Sequence, residues 1–92
     1  MGLNETLKAL ADPVRRQILE MLKHGPKTAG ELAQAFDLTP ATISYHLSQL
    51  KKADLISPQK DKNFIYYQLN LTVFEEILNW FSSLGGSTHD KD

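Results

Sequence analysis

Thr39-Pro40-Ala41-Thr42-Ile43-Ser44-Tyr45-His46-Leu47-Ser48-Gln49-Leu50-Lys51-Lys52 decides how this chain is read. Thr39 offers a side-chain oxygen for an N-cap, and Pro40 suits a first helical turn. At about 100° per residue, Ile43, Leu47 and Leu50 fall on one narrow stripe, which predicts an inward face. The opposite face holds Ala41, Tyr45, Ser48 and Lys52, flanked by Thr42, Ser44 and Gln49. It carries hydroxyls, an amide and an aromatic ring, with no charge until its C-terminal end. Solvated helix faces commonly carry Glu–Lys pairs four residues apart, and this one has none. A helix in the DNA major groove needs small residues for close approach and Ser, Thr or Gln to read base edges. Thr39, Ala41, Thr42, Ser44, Tyr45 and Gln49 are therefore candidate DNA contacts. His46 sits where the core stripe meets that face, and serves either DNA or packing.

The segment just upstream strengthens this reading. Thr28-Ala29-Gly30-Glu31 is a capping box that opens a short helix. Leu32, Ala35 and Phe36 can face inward, and Asp37-Leu38 makes the turn. Two capped helices joined by a tight turn predict a helix-turn-helix. Asp12-Pro13 opens another helix, with Val14, Ile18, Leu19 and Leu22 on its apolar face and Gly25-Pro26 at its end. Before it, Leu3, Leu7 and Leu10 mark a short first helix. Arg15 and Arg16 are a basic pair from which at least one phosphate contact is expected, with Arg16 taken as the candidate.

Downstream the period changes from helical to alternating. Leu55-Ile56 reads as a short strand, Ser57 to Asn63 as a polar turn, and Phe64 to Leu69 as a second strand. A hairpin placed directly after a recognition helix is a wing. Lys60, Lys62 and Asn63 at its tip suit phosphate or minor-groove contact; the same charges also keep a sheet edge soluble.

A last helix is expected from about Leu71 to Leu84. Val73, Ile77, Trp80 and Leu84 form one stripe, and Phe74, Leu78 and Phe81 a second. So broad an apolar surface exceeds what one small domain can cover. Val73, Ile77, Trp80, Phe81 and Leu84, joined by Leu3 and Leu7, are therefore expected to form a two-fold dimer interface. The expected architecture is mainly α with a small β-hairpin: a winged helix-turn-helix in the order α-α-α-α-β-β-α, dimerising through its first and last helices. One domain spans 1–86, and 87–92 reads as a disordered tail.

Composition narrows the function. Cysteine is absent from the 92 residues, which excludes disulfides, Cys-type zinc sites and thiol redox chemistry. No apolar run is long enough to span a bilayer and no secretory leader is evident, which points to the cytoplasm. The net charge is −1, but residues 1–70 hold nine Lys and Arg against seven Asp and Glu. The acidic excess lies beyond residue 70. Phosphates feel local charge, because screening acts beyond about 8 Å. No Ser/His/Asp arrangement, H-E-x-x-H or phosphate-binding glycine loop occurs, so no enzyme, cofactor or catalytic residue is expected.

Taken in order, four stretches resemble the ArsR family of bacterial repressors: Asp12 to Leu19, Thr28 to Ala33, Thr42 to Lys51, and Ile65 to Leu69. The resemblance implies a dimeric winged helix protein on a palindromic operator, often repressing its own operon. It also implies that Ala41, Thr42, Ser44, Tyr45 and His46 face the major groove and that Lys60 to Asn63 form the wing tip. Metal-sensing members carry cysteines near the start of the third helix, where this chain has Thr28 and Gly30. Others use Asp, His and Glu on the last helix, where this chain offers only Glu75 and Glu76. No metal is therefore expected. The chain is most similar to the cysteine-free, SdpR-type branch, which implies a membrane protein encoded nearby that sequesters the repressor. Two alternatives remain open at this point: a winged-helix module that binds proteins, and a sensor whose small molecule sits at the dimer interface near Trp80.

Overall fold

A computed structural model describes residues 2–85, and the expected 87–92 tail lies outside them. The elements run α1 (Leu3–Leu10), α2 (Pro13–Leu22), β1 (Lys27–Thr28), α3 (Ala29–Phe36), α4 (Pro40–Lys52), β2 (Ile56–Asp61), β3 (Phe64–Leu69) and α5 (Leu71–Gly85). Helix boundaries follow the capping residues. The Asp12 carboxylate accepts from the Val14 and Arg15 N–H groups at 2.7 and 3.2 Å. Thr28 and Glu31 complete the capping box at 3.1 and 2.8 Å. Gly25 has a φ of 130°, which a side chain would strain, so the chain that leaves α2 after Leu22 can turn there into Pro26.

Helices α3 and α4 end alike, each with aspartate where glycine is usual. Asp37 and Asp54 adopt left-handed backbone, with φ of 54° and 58°. In each case the next residue's N–H reaches back five positions: Leu38 to Ala33 and Leu55 to Leu50, both at 3.0 Å. This is the Schellman closure, which satisfies a terminal carbonyl and folds an apolar residue back onto the helix. Leu55 is thereby fully buried. The turn between α3 and α4 and the exit into the wing thus rest on one device.

The core joins Ile18, Leu22, Leu32, Ile43, Leu47, Leu50, Leu55 and Ile56 with Val73 and Ile77 of α5. Each such aliphatic side chain contributes about 1.5–3 kcal/mol on burial. Three expectations change inside this core. In α3 it is Ala33 beside Leu32 that is buried, while Ala35 is exposed. In α1 the buried residues are Thr6 and Ala9, not the leucine stripe. The Thr6 hydroxyl donates to the Gly2 carbonyl at 3.1 Å, so a polar residue can enter the core satisfied. Val73 and Ile77, expected at the dimer interface, are 7% and 8% exposed and belong to this chain's own core.

The sheet has three antiparallel strands in the order β1-β3-β2, one more than the expected hairpin. Lys27 and Thr28 pair with Tyr67 and Tyr66. Two residues are too few to carry an alternating pattern, so β1 leaves no periodic trace in the sequence. The expected polar turn from Ser57 to Asn63 is mostly strand, because β2 runs to Asp61. Pro58 is tolerated there because β2 is an edge strand. Asp61 pairs with Phe64, which leaves Lys62 and Asn63 as a two-residue turn. Lys62 takes the left-handed conformation, φ 58°, that such a turn requires.

Candidate nucleic-acid interface

The site is built on α4. Thr39 caps it: its hydroxyl oxygen accepts from the Thr42 N–H at 3.2 Å, and its O–H donates to the Thr42 hydroxyl at 2.9 Å. Ile43, Leu47 and Leu50 are at most 3% exposed and fix the helix against the core. That anchoring turns Ala41, Thr42, Ser44, Tyr45 and Ser48 outward together, with Gln49 half-buried at the margin. Tyr45 is 56% exposed. The face has the chemistry anticipated from the sequence: small and hydroxyl side chains around one aromatic ring. Lys51 and Lys52 lie exposed in the last turn, where positive charge also complements the helix dipole.

Beyond α4, the wing presents Lys60, Lys62 and Asn63, all exposed. Beside them Phe64 and Ile65 are 59% and 49% exposed. In the sequence these two read only as strand residues. Their one signal is adjacency to the turn, because an apolar residue at a hairpin tip has no inner face to occupy.

Two site expectations change here. His46 is 8% exposed and does not share the open face. Its ring turns inward, with Nδ1 3.2 Å from the Arg15 guanidinium. Arg16, the phosphate candidate, donates to the Leu10 carbonyl at 2.7 Å. With Leu10, Leu19, Leu71 and Phe74 it lines an open apolar groove of about 310 Å³ beside α5. Its side chain is exposed there, beside α5 rather than on the outward face of α4. Arg15 is buried and hydrogen-bonded to α1, which withdraws its guanidinium from the surface where a phosphate would lie. Partial desolvation opposes charge on Asp12. Even so, the Arg15 and Val14 N–H groups, together with the charge of Arg15, hold its carboxyl below the usual carboxylate value.

A second surface lies on the outer side of α5. Leu71, Leu78, Trp80, Phe81 and Leu84 are between 41% and 66% exposed, and Leu7 of α1 is 46% exposed. Leu3 is half-buried. Trp80 and Phe81 pack edge to face with ring centroids 5.2 Å apart. Among the described residues, no three His, Asp or Glu side chains gather as a metal site would require, and no helix is long and apolar enough to cross a membrane.

A capped two-helix unit, an outward polar recognition face and a hairpin beside it define a winged helix-turn-helix protein. Comparison with known proteins agrees. A family model described as a helix-turn-helix domain matches residues 10–59. The chain is 46% identical over 78 residues to the transcriptional repressor SdpR of Bacillus subtilis (strain 168), covering 85% of this chain and 87% of that protein. It is 34% identical over 76 residues to the arsenical resistance operon repressor of Staphylococcus aureus, covering 83% and 73%. Its fold matches the homodimeric winged helix-turn-helix DNA-binding domain of Mb0332 from Mycobacterium bovis, a possible ArsR-family regulator. The TM-score there is 0.75 at 25% identity, over 98% of this chain and 85% of that one. The chain belongs to the ArsR family of winged helix-turn-helix transcriptional regulators.

Proposed function

We propose that this protein is a homodimeric repressor that binds a palindromic operator, including one upstream of its own gene. In this reading Ala41, Thr42, Ser44, Tyr45, Ser48 and Gln49 read bases, and Thr39 sets the start of the reading helix. Lys60, Lys62 and Asn63 hold the backbone or the neighbouring minor groove. The observation that carries it is the outward face of α4, polar and uncharged up to the lysines of its last turn, over a buried inner stripe. Leu3, Leu7, Trp80, Phe81 and Leu84 are assigned to the dimer contact, which spaces two recognition helices about 34 Å apart. Residues 1–86 act as one DNA-binding and dimerisation domain in the cytoplasm, by binding rather than catalysis. A membrane protein encoded nearby that sequesters the repressor is the proposed route to release.

The test is a titration against the upstream DNA of the gene at two salt concentrations, with a scrambled duplex as competitor. Selective binding is expected, with a log–log salt slope of about −5 to −9 for six to ten phosphate contacts. Binding indifferent to both sequence and salt overturns the proposal.

A further inference from the structure

Arg15 is a charged side chain only 7% exposed, and among the described residues it makes no ion pair with a carboxylate. Its charge is instead held by the end of α1. Nε donates to the Ala9 carbonyl at 2.9 Å and Nη2 to the Lys8 carbonyl at 3.0 Å. These carbonyls lie in the last turn of α1, where the helix dipole is negative and unpaired oxygens seek donors. The third arm reaches across the core: Nη1 lies 3.2 Å from Nδ1 of His46 in α4. Arginine can only donate, so Nδ1 must present its lone pair and the ring proton must sit on Nε2. His46 directly follows Tyr45, whose ring lies edge-on to it with centroids 5.6 Å apart.

One guanidinium thus ties three helices together. It is carried by α2, closes the C-terminus of α1 and grips α4 beside its most exposed aromatic. Apolar packing of Ile43, Leu47 and Leu50 decides which face of α4 turns outward but defines small rotations about that setting less sharply, because dispersion contacts are non-directional. The hydrogen bond to His46 is directional. Its other end is α1, the helix that contributes Leu3 and Leu7 to the proposed dimer surface.

We propose that Arg15 is a positioning residue that fixes the rotation of the recognition helix relative to the dimer helix, acting through the Nδ1 lone pair of His46. It touches no DNA. It sets whether Ser44 and Tyr45 of both protomers meet base edges in register. The inference rests on the operator-binding reading above.

The test first selects a duplex from a randomised library with the wild-type protein, then compares it with a scrambled duplex. Arg15→Met, His46→Leu and His46→Gln are measured alongside. Glutamine keeps an acceptor for Arg15, whereas leucine fills the space without one. His46→Gln is expected to keep the wild-type preference. His46→Leu and Arg15→Met are expected to remain dimeric and to bind scrambled DNA normally, but to lose about ten-fold in preference. Nitrogen-15 NMR of the wild-type imidazole is expected to show a bare, hydrogen-bonded Nδ1, and Arg15→Met to shift that resonance. Undiminished preference in His46→Leu, or a proton found on Nδ1, overturns the proposal. If Arg15→Met fails to fold, the two His46 variants and the wild-type spectrum still decide. If the wild type itself selects no duplex, the operator reading fails, while the spectrum still judges the Arg15–His46 contact separately.

Discussion

Helices α4 and α5 are similar in length, 13 and 15 residues, and both are amphipathic. They are used in opposite ways. On α4 the buried residues, Ile43 to Leu50, run along most of the helix, and what faces outward is polar. On α5 only Val73 and Ile77 are buried, both in the first half. Every residue from Leu78 to Gly85 is exposed, about 12 Å of helix without a core beneath it. What lies outward there is leucine, tryptophan and phenylalanine. The first helix is complete within one chain and offers chemistry suited to bases. The second is incomplete within one chain and offers chemistry suited to another apolar face. Exposed composition, rather than length or amphipathicity, separates a reading helix from an assembling one.

The comparison breaks most sharply at α5. Phe81→Glu combined with Leu84→Glu places two charges on the open face while leaving Val73 and Ile77 in the core. Sedimentation is expected to show a monomer with wild-type helical content. Operator affinity is expected to fall by about 100-fold or more, because the two half-sites are then bound separately. A dimer that survives both charges removes α5 from the interface. The next largest effect is expected on α4. Tyr45→Ala should lower affinity for the selected duplex by about ten-fold, the scale of one good base contact. Scrambled DNA and the oligomeric state should be unaffected. A variant that weakens all DNA equally shows that Tyr45 reads no base.

Much of this division is legible in the sequence because it is written in periodic patterns. The Thr39 and Thr28 caps, the Ile43–Leu47–Leu50 stripe and the polar face opposite all sit where helical spacing puts them. What escapes are features without a period. Strand β1 is two residues long. The register of the wing depends on Lys62 adopting a left-handed backbone, which lysine rarely signals. Thr6 is buried because a carbonyl four residues back satisfies its hydroxyl, not because it is apolar. The stripe of α5 looks continuous, but the core ends at Ile77, and periodicity cannot say where along a helix the protein beneath it stops. Arg15 and His46 are thirty-one positions apart, so their contact has no local trace. The adjacent pair Arg15-Arg16 looks like one basic patch, yet both side chains donate to carbonyls at the end of α1, and Arg15 is buried and reaches on to α4 while Arg16 stays exposed.

The wing tests a subtler side of the comparison. Lys62→Gly removes a proposed phosphate ligand and also relieves a left-handed residue. Affinity is expected to fall several-fold on selected and scrambled DNA alike. The salt slope should become shallower by about 0.9 for each phosphate no longer neutralised. Thermal stability should hold or rise by about 1 kcal/mol. A loss confined to the selected duplex makes the wing a reader of sequence.

The smallest effect is expected at the seam between α1 and α2, which belongs to neither face. Asp12 caps α2, and its carboxyl is held below the usual value. Its charge therefore contributes stability above the unfolded value of about 3.9, and that contribution is lost as pH falls through the lower folded value. Asparagine caps a helix as well as aspartate, so Asp12→Asn keeps the bonds to the Val14 and Arg15 N–H groups and deletes only the charge. Urea melts should find the variant slightly weaker at neutral pH and equal to wild type in strong acid. Asp12→Ala, which deletes the cap, should be weaker by about 1 kcal/mol near neutral pH. DNA preference should be unchanged in both, because the hydrogen bonds of the Arg15 side chain run to Lys8, Ala9 and His46 rather than to this carboxylate. A change in preference with Asp12→Asn makes the charge of Asp12, and not the hydrogen bonds of Arg15, the element that holds α4 in register.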